Sequence, residues 1–171
     1  GVVSLNGSVI SFTPTAGFYG TASFDYNVTD GTNTNTGTVN LSITAFNGTT
    51  GANTLIGTNL NDTLIGLQGK DTLTGGAGSD RFVYTSVIDA GDTITDFQSG
   101  IDKIDLSGVL DSLGLSDSDP LGSQYVRFLG QRSNTILQID PDGAGAITPK
   151  SFITVQGITP AILGQAENFI F

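Results

Sequence analysis

Oxygen-bearing side chains recur at a fixed spacing near the middle of this 171-residue chain. Four consecutive nine-residue units run from Gly48 to Val83, and each has Asn or Asp in its sixth place. These side chains are Asn53, Asp62, Asp71 and Asp80. Glycine opens every unit. Because Ca²⁺ accepts about six to eight oxygens, including backbone carbonyls, the pattern predicts calcium coordination.

Each unit must contain a turn and a short strand if its oxygens are to converge. The first six residues are expected to turn sharply, which favours glycine because it adopts positive φ freely. The last three are expected to form a strand with its central side chain pointing inward, as core. These inward side chains are Leu55, Leu64, Leu73 and Phe82. With two units to a coil, like turns stack every 18 residues, so Asn53 lies over Asp71 and Asp62 over Asp80.

The repeats resemble those of the RTX ("repeats in toxin") family of bacterial type I secreted proteins, whose fold is a calcium-binding parallel β-roll. The resemblance implies that carbonyls and sixth-place side chains of two stacked turns hold each ion. One implied site combines Thr49, Gly51 and Asn53 with Gly66, Gln68 and Asp71. The next combines Thr58, Leu60 and Asp62 with Gly75, Ala77 and Asp80. Gly69, Gly76 and Gly78 of the same turns complete the candidate metal-binding set.

Only the fourth unit matches the repeat pattern completely. Leu60 replaces the glycine in the fourth place of its unit, and Thr49, Thr58 and Leu67 replace the second glycine. These turns are expected to be more strained. Asn53 is neutral, so the first site should bind calcium more weakly than the second. The alternative interpretation is that the Asp and Asn residues only make Asx-turns.

The segment after the repeats carries further candidate ligands. The string DTITDFQSGIDKIDLSGV, residues 92–109, resembles the segment that follows the β-roll in serralysin-type proteases and other type I secreted proteins. The resemblance implies that Asp92 joins the calcium stack. Asp89 lies nine residues after Asp80 and is a second candidate, whereas Asp96 either binds metal or only ties its turn together.

The end of the chain is interpreted as a cap followed by an export signal. Three strands, at residues 125–128, 135–139 and 152–155, are expected to be antiparallel, and 107–113 is the one helical candidate. The ending Glu167–Phe171 resembles the uncleaved signal of type I secretion substrates, which implies a type I transporter as a partner. These terminal residues are expected to be weakly tied down, unless Phe169 and Phe171 close the last sheet.

Residues 1–46 are expected to form alternating strands. The string FTPTAGFYGTASFDYNVTDG, residues 12–31, resembles the second half of the cadherin-like, immunoglobulin-fold repeats of large bacterial adhesins. Such a partial sandwich leaves an apolar face exposed. Two interpretations are open for Asp25 and Asp30: calcium ligation, and ordinary strand and turn roles. The chain has no methionine and is interpreted as part of a longer protein.

The composition limits the function classes. There are 16 acidic and 6 basic residues, for a net charge of −10, which disfavours nucleic acid as a partner. The sequence has no His and no Cys, so the usual general bases and thiol nucleophiles are missing. Aspartate pairs such as 102/105 and 140/142 are available for glycoside cleavage, but metal or turn roles explain them better. No apolar stretch is long enough to span a membrane.

The sequence therefore predicts an all-β protein in three segments. Residues 1–46 would be part of an immunoglobulin-like repeat, 47–83 the parallel β-roll, and 84–171 the antiparallel cap and secretion domain. The predicted function is a non-catalytic, monomeric, calcium-binding C-terminal module of a secreted or cell-surface adhesin, which folds on extracellular Ca²⁺. The alternative parent is a secreted protease, lipase or polysaccharide epimerase. A polysaccharide-binding role is disfavoured because no cationic residue precedes Lys70.

Overall fold

The computed structural model describes residues 2–7, 9–13, 20–115, 119–142 and 147–171. The chain divides into two compact units, Gly1–Ala45 and Phe46–Phe171. Part of the string that carries the adhesin resemblance, residues 14–19, lies outside the described residues. Among the described residues, no helix has the length and apolar character needed to cross a membrane.

The first unit consists of two antiparallel hairpins. Strand β1 (Val2–Asn6) pairs with β2 (Val9–Thr13), and β3 (Gly20–Thr29) pairs with β4 (Thr34–Asn47). The rings of Phe12 and Phe24 stack with centroids 6.1 Å apart. Strand β1 was not expected, because all five of its residues are exposed and no buried face marks it in the sequence. Apolar side chains such as Leu5 and Val28 are exposed, which fits a partial sandwich.

The nonapeptide strands alternate between two sheets of the second unit. One sheet contains β5 (Thr54–Ile56), β7 (Thr72–Thr74) and β9 (Asp92–Ile94), which pair in parallel. The other contains β6 (Asp62–Ile65), β8 (Arg81–Val83) and β10 (Lys103–Asp105), also parallel. Leu55 pairs with Leu73, and Leu64 with Phe82. The 18-residue stacking is confirmed, and the same ladders continue beyond residue 83 through β9 and β10.

The cap extends both sheets. Strand β13 (Lys150–Val155) pairs in parallel with β9, and β12 (Asn134–Ile139) joins β13 and β11 (Val126–Gln131) in antiparallel fashion. The other sheet runs β14 (Phe169–Ile170), β10, β8, β6 and then β4, whose last two residues belong to this unit. The all-β class is confirmed, but the sheet that contains β9 is mixed, because its parallel strands adjoin the antiparallel strands β12 and β11.

Three short helical segments complete the second unit. Helix α1 (Ser107–Ser112) is the helix that the sequence predicts. Helix α2 (Pro160–Leu163) and a 3₁₀ turn (Ala166–Asn168) were not expected. Helix α2 is only four residues long, too short to show a helical period, although Pro160 takes a position where proline is favoured.

The core is a column of inward side chains that runs from the repeats into the cap. Leu64, Leu73 and Phe82 are fully buried, as are Ile94 and Ile104 on the next strands. Burying such side chains contributes about 1.5–3 kcal/mol each. Leu55 is only partly buried because β5 is the last strand of its sheet. The four predicted inward residues are therefore core and not a ligand pocket.

The end of the chain is built into this unit. Phe169 pairs with Ile104, and the N–H of Leu106 donates to the carbonyl of Ile170 over 2.8 Å. Asn168 is fully buried, and its amide donates to the carbonyls of Ile162 and Leu163. The expectation that residues 167–171 are weakly tied down is therefore wrong, because their backbone completes a sheet and Phe169 is only 7% exposed.

Candidate metal site

Two columns of side chains lie at or just before the strands of the two ladders. The Asn53 column comprises Asn53, Asp71 and Asp92. The Asp62 column comprises Asp62, Asp80 and Asp102. Within each column, a backbone N–H donates to the Oδ1 atom of the next member. These four bonds join Asn53 to Asp71 (2.7 Å), Asp71 to Asp92 (2.9 Å), Asp62 to Asp80 (2.9 Å) and Asp80 to Asp102 (3.0 Å).

The second oxygen of several column carboxylates is buried without a hydrogen-bond partner among the described residues. These atoms are Oδ1 of Asp62 and Oδ2 of Asp71, Asp80 and Asp92. All four residues are at most 2% exposed. A buried acceptor left unsatisfied costs about 1–3 kcal/mol, and more when it is charged. The arrangement therefore lacks a positive partner inside each column, and a cation would supply one.

The opening glycines provide room for these oxygens. A Cβ atom on Gly66 would lie 2.6 Å from Oδ2 of Asp71 and 2.9 Å from Oδ2 of Asp92. The φ angle of Gly66 is not positive, whereas Gly69, Gly76 and Gly78 do have positive φ. Glycine is thus required in the first place because a Cβ atom there would lie too close to the carboxylate oxygens. The left-handed conformation is confined to later places of the third and fourth units.

The departures from the pattern strain the turns less than expected. Leu67 has a φ of 65°, but Thr49, Thr58 and Leu60 do not adopt positive φ. Instead, the backbone N–H and hydroxyl of Thr58 both donate to Oδ2 of Asp62, and Thr49 does the same to Asn53. These side-chain bonds shape the first two turns without left-handed residues, in the manner of Asx-turns and ST-turns.

The stacked turns bring the other candidate residues together in pairs. Gly69 approaches the carbonyl of Gly51, and Gly78 that of Leu60. The N–H of Ala77 donates to the carbonyl of Thr58 over 3.2 Å. Gly75 approaches Asp80, and Gln68 lies in the turn between Gly66 and Asp71. Among the described residues, no three acidic side chains group closely enough to hold a metal, so an ion at this position would also need backbone oxygens.

Asp89 shapes a turn, whereas Asp92 lies in the Asn53 column. Oδ2 of Asp89 accepts from the N–H and hydroxyl of Thr85 and from the N–H of Ser86. Asp89 therefore shapes its turn as Asp62 does, at the ninth-residue position. Asp92, three residues later, occupies the column itself. Asp89 therefore keeps the nine-residue spacing in the turn. An insertion between Asp89 and Asp92 delays the start of β9.

Asp102 continues the Asp62 column, although it was not among the metal ligands predicted from the repeats. It lies 22 residues after Asp80 instead of 18, because the intervening turns are longer. One signal was available: an aspartate, any residue and a large apolar residue recur at 62–64, 71–73, 80–82, 92–94 and 102–104. That triplet keeps the strand in register even where the nine-residue period fails.

Three of the column carboxylates have pKa values above the ordinary value of aspartate. Burial raises the pKa of Asp92 to about 7, and the neighbouring charges of Asp71 and Asp89 add to the effect. Burial likewise raises the pKa of Asp80 and Asp102. Burial disfavours the charged form of such a carboxylate. A cation beside it would favour that charged form.

The other aspartates considered from the sequence have protein partners. Asp96 accepts from the N–H groups of Gly75 and Gly76, so it ties the turn together. Asp105 pairs with Arg81, and buried Asp140 pairs with Arg127 at 2.8 Å. Asp142 accepts from the N–H of Ile147, and Asp25 from the hydroxyl of Thr38. Asp30 makes an Asx-turn, and the bonds from Asn33 and Thr32 lower its pKa.

Comparison with known proteins identifies the class. The family model for the serralysin C-terminal domain of peptidase family M10 matches residues 17–142. The chain belongs to this family, whose domain is non-catalytic and carries calcium-binding repeats of the RTX type. No match was found among curated proteins.

Two similar solved structures come from the mannuronan C5-epimerase of Azotobacter vinelandii. The AlgE6R2 subunit has a TM-score of 0.51 at 23% identity, covering 75% of this chain and 91% of its own. The AlgE6R3 subunit has a TM-score of 0.46 at 27% identity, covering 75% of this chain and 79% of its own. The first comparison supports the fold assignment.

Proposed function

We propose that this chain is a non-catalytic module of a secreted bacterial protein that forms a parallel β-roll and folds when it binds Ca²⁺. The observation that carries the proposal is the set of four buried column oxygens without hydrogen-bond partners among the described residues. Ca²⁺ suits these positions because it binds carboxylates and carbonyls in flexible geometry.

Ions would lie between successive members of each column. The sequence supplies two such positions, Asn53/Asp71 and Asp62/Asp80. The column geometry adds Asp71/Asp92 and Asp80/Asp102, because the same N–H to Oδ1 bond joins those pairs. Each position would combine two side chains with carbonyls of the stacked turns.

Calcium would couple to folding through linkage. An ion that binds only the folded chain adds about 2.7 kcal/mol of stability when its free concentration is 100 times its dissociation constant. Without ions, the buried carboxylates oppose folding. Where calcium is scarce, as in a cytosol, the chain would stay unfolded and exportable, and it would fold outside the cell.

The parent protein is a separate proposal. The adhesin parent is supported by residues 12–31, whose sequence resembles adhesin repeats, and by the hairpins of the first unit. The alternative, an appendage of a secreted protease, lipase or epimerase, is supported by membership of the serralysin C-terminal family and by likeness to the epimerase subunits. In both cases a type I transporter would export the monomeric module.

The central experiment is thermal unfolding of the full chain in calcium-free buffer, with 5 mM Ca²⁺ and with 5 mM Mg²⁺, taken as concentrations on the order of extracellular levels. We expect Ca²⁺ to raise the melting temperature strongly and Mg²⁺ to do so poorly, because Mg²⁺ demands octahedral geometry and retains its waters. Native mass spectrometry would count the ions. Identical melting curves in all three buffers would refute the calcium function.

A further inference from the structure

Tyr84 has a polar end that ring packing does not explain. It follows β8, is 1% exposed and packs edge-on against Phe152 of the cap, with ring centroids 5.2 Å apart. Its hydroxyl is buried and makes no fully formed hydrogen bond to the described residues. A buried tyrosine hydroxyl usually has a partner. Phenylalanine would fill the same space without this cost.

The Tyr84 hydroxyl lies beside the lower end of the Asn53 column. Its ring packs on Phe152, whose carbonyl accepts from the N–H of Gly91 and whose neighbour Ile153 pairs with Asp92. A tyrosine hydroxyl carries a proton at neutral pH and can donate it to a carboxylate such as that of Asp92. The free oxygens of that neighbourhood are Oδ2 of Asp71 and Oδ2 of Asp92.

Asp92 accepts no orienting hydrogen bond from its own turn. Oδ2 of Asp62 and Oδ2 of Asp102 each accept from the N–H of the residue four positions earlier, Thr58 and Gln98. Oδ2 of Asp92 has no such partner among the described residues, and neither has Oδ2 of Asp71 or of Asp80. The insertion before β9 places the comparable bond on Asp89 instead, where Thr85 donates. Tyr84 has a buried hydroxyl that is available to orient Asp92.

We propose that Tyr84 is a positioning residue for a cation held between Asp71 and Asp92, its hydroxyl donating to the Asp92 carboxylate so that the free oxygen faces Asp71. The inference rests on the calcium function proposed above. Groups that orient metal ligands in this way typically account for about 10–100-fold in metal affinity. Because the ring also contacts Phe152, the same side chain links this ion to the cap.

The test compares Tyr84→Phe with Tyr125→Phe in the full chain. Tyr84→Phe keeps the ring and removes only the hydroxyl, and Tyr125 lies in the cap before β11, outside both columns. Calcium titration calorimetry should show one binding step of Tyr84→Phe weakened by about 10–100-fold. The ion count at saturation and the other steps should match the wild type, as should all steps of Tyr125→Phe.

A second measurement does not require a folded ion-free protein. Tb³⁺ bound in place of Ca²⁺ emits when a nearby tyrosine is excited, so Tyr84→Phe should lose most of this emission and Tyr125→Phe should retain it. On mixing with chelator, one Tb³⁺ per chain should leave Tyr84→Phe faster than it leaves Tyr125→Phe, as followed by direct Tb³⁺ excitation.

The outcomes separate the two proposals. Wild-type affinity at every step of Tyr84→Phe would overturn the positioning role while leaving the calcium function intact. Equal weakening of every step, with faster release of all ions, would mean a structural role and would also overturn it. A wild-type chain that binds no Ca²⁺ at any step would instead overturn the calcium function itself.

Discussion

The backbone N–H of Asp80 donates to Oδ1 of Asp102 over 3.0 Å, although 22 residues separate the two aspartates. The same bond joins Asp62 to Asp80 across 18 residues at 2.9 Å. The column is therefore maintained by the strand that follows each aspartate, not by the length of the turn that precedes it. This relationship extends the candidate site into the segment after the repeats.

Asp102→Asn should weaken calcium-dependent stability at the end of the Asp62 column. Asparagine keeps the acceptor for Asp80 but removes the negative charge that a cation would need, so we expect a loss of about 1–3 kcal/mol in saturating Ca²⁺. Asp111→Asn, at an exposed position of α1, is the matched control and should change little. Chemical unfolding in Ca²⁺ measures both. Equal stability of the two variants would exclude Asp102 from the site.

Asp80→Ala should cost more than Asn53→Ala in calcium-dependent stability. Asp80 lies between Asp62 and Asp102 and would contribute to both proposed ion positions of its column, whereas Asn53 ends its column and is neutral. We expect the difference to be about 1 kcal/mol or more, from unfolding curves recorded with and without Ca²⁺. Similar losses for both variants would show that the sites are not ranked in this order.

Gly66→Ala should be far more damaging than Gly51→Ala. A Cβ on Gly66 meets the carboxylates of Asp71 and Asp92 at 2.6 and 2.9 Å, whereas one on Gly51 meets nothing within 4 Å. Neither residue has positive φ, so the comparison isolates steric access to the site. We expect Gly66→Ala to lose about 1–3 kcal/mol and part of its bound calcium, as counted by native mass spectrometry. A damaging Gly51→Ala would point to the turn conformation instead.

Lowering the pH should stabilise the ion-free folded chain but reduce the stabilisation that calcium provides. The raised pKa of Asp92, about 7 in the folded state, means that the folded ion-free chain gains a proton that the unfolded chain lacks between about pH 7 and pH 4. Ion-free stability should therefore rise as the pH falls through 7. Calcium requires the ionised carboxylates, so the calcium-induced rise in melting temperature should shrink over the same range.

Measurements between pH 8 and pH 5.5, a window chosen around that pKa, should use calcium-depleted buffers because chelators weaken in acid. A calcium-induced shift in melting temperature that does not depend on pH would show that the column carboxylates are ionised without the metal. Asp80 and Asp102 contribute in the same direction, since their pKa values are also raised by burial.

The sequence predicted the parts of the fold that follow the nine-residue period. It placed Asn53 over Asp71 and Leu64 beside Phe82, because the turn and strand lengths are fixed within that period. It missed Asp102, where insertions change the spacing. It also missed the hydroxyl bonds of Thr49 and Thr58, because nothing local shows which way a threonine side chain turns.

The role of residues 167–171 depended on contacts that no local pattern reveals. Lys103 donates to the carbonyl of Glu167, and Ser99 to the side chain of Asn168, across more than 60 residues of sequence. A five-residue polar and aromatic ending has the same composition whether it is free or docked. Its partner strand β10 was itself not predicted.

Phe169→Ala should destabilise the folded chain much more than Phe171→Ala. Phe169 is 7% exposed and its ring contacts Phe128 at a centroid distance of 5.7 Å, whereas Phe171 is 38% exposed. Truncating a buried phenylalanine costs about 3–5 kcal/mol, and the half-exposed ring should cost less than half of that. Unfolding curves in Ca²⁺ measure both variants.

If the two losses are equal and small, the terminal strand is not part of the stable unit, and an export defect of either variant can be assigned to recognition by a transporter. If Phe169→Ala alone is unstable, its export must be compared with Phe171→Ala, because the tail then serves the fold as well as any signal.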